Sequence, residues 1–349
     1  MIARWTLAAA VLLAGPRPQD PLSSEDWKAI DRGLDLIRRC QMDDGMIRIK
    51  GAGDPVWTVP YVSNFAAMAL LAAHELRPNP GDVSRAERWL LWYADNQEPD
   101  GTICDREGTV ASYKSNGRRD STDSYAATFL MAVSRHRRAA REGSPPGILR
   151  AAVKALAAIE AVTQDDGLTF AKPDYPMKYL MDNIEVYGGL IEGASFFDAA
   201  GLEKEASKAR RMAARLAASL AKFWSEKDRR FEVAIDGKGV SSGGFEKPYP
   251  HGLAQLFALA HLPPARPGLW KMVRGKFKPG DEGMPVERWL MAAAGGADPQ
   301  EREELRRATR EALLGFTAEG VYVDRPALAI LALIDGPARF TGVRPAAGD

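Results

Sequence analysis

Apolar residues recur along most of the chain at intervals of three and four positions, the period of an α-helix with one buried face. Two kinds of helical segment alternate. In one kind, such as "VSRAERWLLWYADNQ" (83–97), charged residues face away from the apolar stripe. In the other, such as "SNFAAMALLAAHEL" (63–76), small and apolar residues lie nearly all round. The pattern predicts outer helices with one side in water and inner helices that are buried.

A repeated turn follows the polar-faced helices. It appears as "QMDDGMIRI" (41–49), "QEPDGTICD" (97–105) and "QDDGLTFAK" (164–172), with weaker copies at 225–233 and 317–325. The glycines of the first three copies are 56 and 66 residues apart, which leaves room for two helices between turns. We therefore predict an all-α protein with twelve main helices in six hairpins. Short extended segments are expected near 46–50, 102–105, 168–172 and 230–235.

This alternation resembles the six-hairpin (α/α)6 toroid of glycosidases and related sugar-active enzymes. The resemblance covers about residues 24–335 and implies a closed ring of helical hairpins in a single domain, 20–349. It also implies a carbohydrate-active enzyme. The reaction stays open, because this toroid hosts hydrolases, lyases and epimerases, and a related ring hosts terpene cyclases.

Composition narrows the possible functions further. With 46% hydrophobic and 27% charged residues, the chain has the composition expected of a soluble globular protein. The net charge is +1 and the basic residues are scattered, so nucleic-acid binding is not expected. Residues 1–19 resemble a signal peptide with a short apolar run. We expect a periplasmic or extracellular protein with no stable membrane insertion after cleavage.

The sequence gives little support for a metal or a cofactor. No pair of histidines has the i, i+4 spacing of a helical metal site, and neither a Walker A motif nor a Gly-x-Gly-x-x-Gly turn is present. We predict no cofactor and no metal. Cys40 and Cys104 are interpreted as two small buried thiols, with a disulfide between them as the alternative that an oxidising compartment permits.

In such a toroid the inner helices run in the same direction, so the residues at their N-terminal ends surround one mouth of the ring. Carboxylates and aromatic rings predominate there, which suits a carbohydrate, because aromatic faces cover the C–H side of a sugar and carboxylates accept its hydroxyls. The candidate substrate-binding residues are Trp57, Tyr61, Asn64, Tyr125, Lys178, Tyr187, Tyr249, His251, Glu287 and Trp289. Asp324 and Arg325 begin the last inner helix.

Four acids at this mouth are the catalytic candidates. Asp120 and Asp182 are 62 residues apart, as are Asp123 and Glu185, and a Tyr follows each pair two residues later. Glycoside hydrolysis needs a proton donor and a second carboxylate. We predict Asp123 as the general acid and Asp182 as its partner base, with Asp120 and Glu185 as alternates. Helix capping is the competing interpretation, since "DNIE" has the form of a capping box.

By placement, the pattern is similar to that of the unsaturated glucuronyl hydrolases and their rhamnogalacturonyl relatives. That resemblance implies two essential aspartates at the starts of successive inner helices, at positions that Asp123 and Asp182 match. Ordinary inverting glycosidases of the same toroid fit equally well. An oligosaccharide or polysaccharide substrate is expected, with a lean toward uronate-containing sugars because five cations lie on the same loops: Lys114, Arg118, Arg119, Lys178 and Arg325.

Other functions stay open at this point. A polysaccharide lyase on the same toroid would use Tyr249 or Tyr187 together with His251. An epimerase would need two histidines across the cavity, and only His251 lies at the start of an inner helix. A third possibility is a non-catalytic glycan-binding or scaffold toroid, in which every acid at the mouth would cap a helix.

Overall fold

The computed structural model describes residues 22–51, 53–140, 143–262 and 266–335, and this part of the chain contains twelve α-helices. The outer helices are α1 Ser24–Cys40, α3 Pro80–Asn96, α5 Pro146–Val162, α7 Glu203–Ser219, α9 Pro267–Lys276 and α11 Pro299–Gly315. The inner helices are α2 Pro60–Leu76, α4 Asp123–Ala140, α6 Leu180–Ala199, α8 Leu253–His261, α10 Val286–Ala292 and α12 Asp324–Ile334. The proposed signal segment, and both ends of the proposed domain 20–349, lie outside the described residues.

The inner helices form a closed ring. α2 packs on α4, α4 on α6, α6 on α8, α8 on α10 and α10 on α12, and α12 returns to α2. The closest approach is between α4 and α6, where a Cβ on Gly189 would lie 2.6 Å from the Cα of Ala127. The predicted all-α toroid of six hairpins is confirmed.

The outer helices owe their position to one apolar stripe and to their end signals. α1 buries Ile30, Leu34 and Ile37 against the ring. Ser23 and Asp26 form a capping box at its start, which satisfies free N–H groups of the first turn. None of the helices in the described part of the chain combines the length and the apolar character that crossing a bilayer requires.

The repeated turns fasten each hairpin to the next outer helix. Gly45, Gly101 and Gly167 have φ values of +100°, +85° and +85°, a region that favours glycine. A side chain on Gly101 would lie 2.1 Å from the carbonyl oxygen of Lys154 on α5. The amide of Gln97 donates to the carbonyl of Ala151, also on α5, at 3.2 Å. The Gln and Gly of the repeat are therefore structural.

Short strands occupy the connections from outer to inner helices. β1 Val56–Thr58, β2 Arg106–Thr109 and β3 Ser112–Ser115 form one antiparallel sheet, and β4 Met177–Tyr179, β7 Ala234–Asp236 and β8 Ser241–Ser242 form a second. β5 Trp224–Ser225 pairs with β6 Arg230–Phe231.

The extended segments expected from the repeat are only partly found as strands. The segment near 230–235 contains β6 and most of β7, whereas those near 46–50 and 168–172 form isolated bridges through Ile47 and Thr169. The segment at 102–105 ends before β2 begins, because the backbone of Asp105 pairs instead with Asn116 and Arg118 in the following loop. Cys40 and Cys104 are both buried and free, so the interpretation as two thiols is confirmed.

Candidate functional site

The four predicted acids lie at the N-terminal ends of α4 and α6, which are neighbours in the inner ring. Asp120 is exposed in the loop before α4, and Asp123 is the fully buried first residue of that helix. Asp182 is half-buried in the first turn of α6, and Glu185 is buried one turn later. The two pairs predicted from the sequence thus come together in one acid cluster, defined here as Asp120, Asp123, Asp182 and Glu185.

Asp123 is held by donors from two elements. The hydroxyl of Thr169 donates to its Oδ2 at 2.6 Å, and the backbone N–H of Ser124 donates to its Oδ1 at 2.8 Å. Thr169 lies just after the third repeated turn, and its own N–H donates to Asn183 on α6 at 2.8 Å. The turn therefore fixes the Asp123 carboxylate relative to the start of α6.

Tyrosines line the other side of the acid cluster. The hydroxyl of Tyr61, at the start of α2, donates to Oε1 of Glu185 at 2.7 Å. Its ring is stacked on that of Tyr125, with centroids 5.9 Å apart. The Tyr125 hydroxyl in turn donates to Oδ1 of Asp105 at 2.9 Å. Two of the predicted aromatic residues thus contact carboxylates at the mouth.

Burial raises the pKa values of three members of the acid cluster, Asp123, Asp182 and Glu185, and repulsion between carboxylates adds to the shift at Asp123 and Asp182. Burial raises the pKa of Asp123 to about 7, with a further contribution from the charge of Glu185. Burial also raises the pKa of Glu185 to about 7, although the bond from Tyr61 opposes the shift. The pKa of Asp182 is raised well above its ordinary value by burial and then by the charges of Asp123, Glu185 and Asp120. At neutral pH the cluster therefore retains protons that isolated carboxylates would lose.

Helix capping does not account for these acids. α6 begins at Leu180, its N-cap is Tyr179, and no side chain accepts a capping hydrogen bond there. Asp182 is already the third residue of the helix, so the capping-box interpretation of "DNIE" is wrong. Asp123 accepts one N–H of its own helix, but its second oxygen is turned to Thr169.

Sequence reasoning missed three polar residues that act on the cluster. Thr169 binds Asp123, as described above. The buried Ser124 hydroxyl lies close enough to Asp182 and Glu185 to lower the pKa of both, although it forms no well-aligned hydrogen bond within the described residues. The charge of Arg288 on α10 lowers the pKa of Glu185 and of Tyr61. The sequence could have indicated Arg288, because a charged residue in a buried inner helix requires a partner or a function.

A second charged group lies at the starts of α10 and α12. Glu287 is fully buried and accepts a hydrogen bond from Nε of Arg325 at 2.5 Å. Burial raises the pKa of Glu287, and Arg325 opposes that shift. Burial likewise raises the pKa of Asp324, next to Arg325 in the chain. Glu287 and Arg325 form an ion pair, in contrast to the like charges at α4 and α6.

Two of the predicted binding residues lie in the core. Asn64 is fully buried, donates to Thr128 at 3.0 Å and accepts from the indole N–H of Trp89 at 3.0 Å. Trp289 is also fully buried and packs edge-on against Trp270 of the outer helix α9, with centroids 5.7 Å apart. Both side chains are enclosed by protein, since they point between helices.

The remaining predicted residues are spread around the mouth. Tyr249 is 58% exposed, and its pKa is raised by partial burial and then by the charges of Asp120 and Asp182. Trp57 is exposed on β1, and Tyr187 is half-buried on α6. Nδ1 of His251 lies 3.1 Å from Oε2 of Glu246. Lys178 is buried with its ammonium 2.8 Å from Oδ2 of Asp166, so its charge is already paired.

The acid cluster is suited to proton transfer. A buried carboxyl with a raised pKa can donate a proton near neutral pH, and a neighbouring ionised carboxylate can accept one. No group of three or more His, Cys, Asp or Glu side chains in the described ranges is arranged to hold a metal ion.

Comparison with solved structures identifies the fold. An alpha-amylase from Clostridium perfringens superposes with a TM-score of 0.58 at 9% identity, covering 90% of this chain and 98% of that one. A glycosidase variant in complex with glucose gives 0.59 at 12% identity, covering 93% and 100%. An uncharacterized conserved protein from Thermus thermophilus gives 0.58 at 13% identity, covering 88% and 99%.

The sequence itself matches no family profile and no curated protein. At these identities the structural likeness shows a shared fold and no more. The chain thus has the fold of toroid glycosidases, as the resemblance in its sequence implied.

Proposed function

We propose that this protein is a glycoside hydrolase that cleaves oligosaccharides by carboxylate acid–base catalysis. The observation that carries the proposal is the acid cluster itself. Asp182 and Glu185 on α6 lie beside Asp123 on α4, and burial raises the pKa of all three. Neighbouring carboxylates raise the pKa of Asp123 and Asp182 further, and neither α6 acid caps its helix. Burying like charges together costs stability and is typical of catalytic sites.

We assign the proton donor to Asp182 and the partner base to Asp120. Asp182 is half-buried, so a glycosidic oxygen can reach it, and three negative neighbours favour its protonated form. Asp120 is exposed, so it can hold a water molecule. Asp123 is fully buried and acts on Asp182 through its charge, as a positioning residue. The proposal therefore differs from the sequence prediction, in which Asp123 was the general acid, Asp182 the partner base and Asp120 an alternate.

The proposed substrate is an oligosaccharide or polysaccharide. Tyr249, exposed beside Asp120 and Asp182, offers an aromatic face for a sugar ring. Arg288 offers a positive charge near Glu185, which supports the lean toward uronate-containing sugars. Secretion, with removal of residues 1–19, is part of the proposal, because an enzyme acting on polymeric glycans must meet them outside the cytoplasm.

The test is hydrolysis of a panel of neutral and uronate oligosaccharides, with and without an unsaturated terminal sugar, followed by reducing-end release and by loss of absorbance. Asp182→Asn should lower kcat by about 10²- to 10⁴-fold, the usual contribution of a general acid or base. Its melting temperature should stay the same or rise, because the substitution removes a repelled charge.

Asp198→Asn is a matched control on the same helix, since Asp198 is exposed and paired with Arg210. It should leave kcat unchanged. Equal activity in Asp182→Asn and the wild type would overturn the assignment of Asp182. Binding of the panel without any cleavage would instead favour a non-catalytic glycan-binding toroid.

A further inference from the structure

A groove of about 620 Å³ lies beside the acid cluster and belongs to none of the groups described above. Its volume is in the range of about 300–1,000 Å³ that holds small-molecule ligands in proteins. Its lining combines aromatic and apolar side chains with polar ones. The residues that matter here are Phe170, Tyr175 and Pro176 among the apolar ones, and Gln164, Asp236 and Lys238 among the polar ones.

The groove is continuous with the mouth of the ring through two tyrosines. The rings of Tyr175 and Tyr179 are stacked, with centroids 6.4 Å apart and planes at 25°, and their hydroxyls are 3.1 Å apart. Tyr179 is the N-cap of α6, three residues before Asp182. The charges of Asp182 and Tyr249 both contribute to raising the pKa of Tyr179. The aromatic path therefore leads from the groove to the proposed proton donor.

Strand pairing, an ion pair and hydrogen bonds hold the backbone around the groove. Its floor is formed where β4 pairs with β7, with Met177 opposite Asp236. The Lys178 ammonium lies 5.5 Å from the centroid of the Phe170 ring and is paired with Asp166. The paired ammonium helps to hold the Phe170 ring in place. Oδ1 of Asp236 accepts hydrogen bonds from the N–H groups of Lys238 and Val240, both at 2.8 Å, and so shapes the hairpin that brings Asp236 and Lys238 to the groove.

Gln164 lies one position later in its turn than Gln41 and Gln97 do in theirs, because Thr163 occupies the C-cap position that those two glutamines hold. Gln41 and Gln97 donate to carbonyls of the next outer helix, at 2.8 Å and 3.2 Å. Gln164 instead donates back to Val162 at 2.8 Å and lines the groove. The three turns have the same length, since the N–H of the glycine donates three residues back in each, to Met42, Glu98 and Gln164. The amide of Gln164 is therefore part of a surface and not a tie to the next helix.

We infer that this groove binds a pyranose unit of the same glycan, several units away from the bond that is cleaved. The inference rests on the proposed function and extends it to substrate length. Tyr175, 43% exposed, stacks on the C–H face of the sugar, while Gln164, Asp236 and Lys238 meet its hydroxyls. The enzyme thus prefers chains long enough to span the mouth and the groove.

The experiment compares disaccharide and hexasaccharide members of a gluco-oligosaccharide series and of an oligogalacturonate series. Tyr175→Ala should raise KM, and the Kd measured by calorimetry, about tenfold for the hexasaccharide that the wild type binds, since one lost aromatic contact is worth about a factor of ten. The kcat and KM for the disaccharide should stay as in the wild type. Tyr175→Phe should retain most of the hexasaccharide affinity.

Leu314→Ala on the outer helix α11 is the matched control, because Leu314 is exposed to nearly the same fraction, 42% against 43% for Tyr175. Binding is also measured in the Asp182→Asn background. If the Asp182→Asn protein binds the hexasaccharide and this binding still depends on Tyr175, the groove is a glycan-binding site even when no hydrolysis is found. Equal effects of Tyr175→Ala on short and long chains, or no hexasaccharide binding by the wild type, would overturn the inference.

Discussion

At the end of the ring away from the acid cluster, every described contact of Arg135 joins opposite charges. Arg135 on α4 binds both oxygens of Asp335, just after α12, at 2.6 and 2.8 Å, and it contacts Glu75 on α2 at 3.2 Å. At the mouth, the same helix begins with Asp123, which faces the carboxylates of α6. The charge near the C-terminal end of α4 is therefore balanced by opposite charges, whereas the carboxylate at its N-terminal end faces other carboxylates.

The two ends of α4 thus carry two kinds of buried charge. Those around Arg135 hold the ring together, and those around Asp123 do not. A buried ion pair with good geometry keeps its partners ionised, and it fixes the register of the helices that carry it. Buried like charges do the opposite, because they raise each other's pKa and weaken the fold. The ring would be more stable with asparagines at its mouth, so the cost there indicates function.

The largest effect on stability is expected at the paired end. Arg135→Met leaves the fully buried Asp335 carboxylate without its main partner and should lower the free energy of unfolding by about 3–5 kcal/mol, measured by urea denaturation. The double variant Arg135→Met/Asp335→Leu should recover most of this loss, because both charges are removed together. A loss in the double variant as large as in the single one would show that shape, and not charge, decides.

The pH dependence of stability should come from the mouth. Burial raises the pKa of Asp123 from 3.8 to about 7, so the folded state binds a proton that the unfolded state releases between those values. Stability is therefore fully present below about pH 4 and is lost as the pH rises toward 7, by roughly 2–4 kcal/mol for this group. Asp123→Asn should remove that part of the dependence.

The measurement is the difference in unfolding free energy between the wild type and Asp123→Asn at pH 4 and at pH 8. The two proteins should be close at pH 4, and the variant should be the more stable at pH 8. Parallel curves over the whole range would contradict the raised pKa and with it the argument for a strained acid cluster.

The fold was predictable because it depends on local signals that recur. Gly45 and Gly101 need positive φ and close backbone contact, so only glycine serves there, and Gln41 and Gln97 tie the same two turns to the next outer helix. Repetition made these signals readable. The short strands were less predictable, since Asp105 pairs with a loop whose course the sequence does not indicate.

The candidate site was predictable in position but less so in detail. Placing Asp123 and Asp182 at helix starts followed from the repeat, and the structure brings them together. Which way a side chain turns on an inner helix did not follow, because these helices are apolar nearly all round and give no hydrophobic face to orient them. Asn64 and Trp289 were therefore assigned to the mouth although they are enclosed in the core.

The smallest expected effect on stability comes from removing one hydroxyl at each end of the ring. Tyr61 at the mouth donates to Glu185 at 2.7 Å, and Ser134 toward the other end donates to Glu192 at 2.7 Å. Glu192 also binds Arg138 at 2.6 Å, whereas Glu185 has no ion pair at this distance within the described residues, and the Tyr61 bond is the largest of the effects that oppose burial in setting its pKa. Removing each hydroxyl should therefore have unequal consequences.

Tyr61→Phe should raise the pKa of Glu185 further and lower the free energy of unfolding at pH 8 by about 1–2 kcal/mol, because a buried carboxylate loses its donor. Ser134→Ala should change it by less than about 0.5 kcal/mol, since the ion pair remains. Urea denaturation at pH 5 and pH 8 measures both, and the Tyr61→Phe loss should shrink at pH 5, where Glu185 is protonated. Equal losses for the two variants at pH 8 would mean that the two ends of the ring stabilise their carboxylates in the same way.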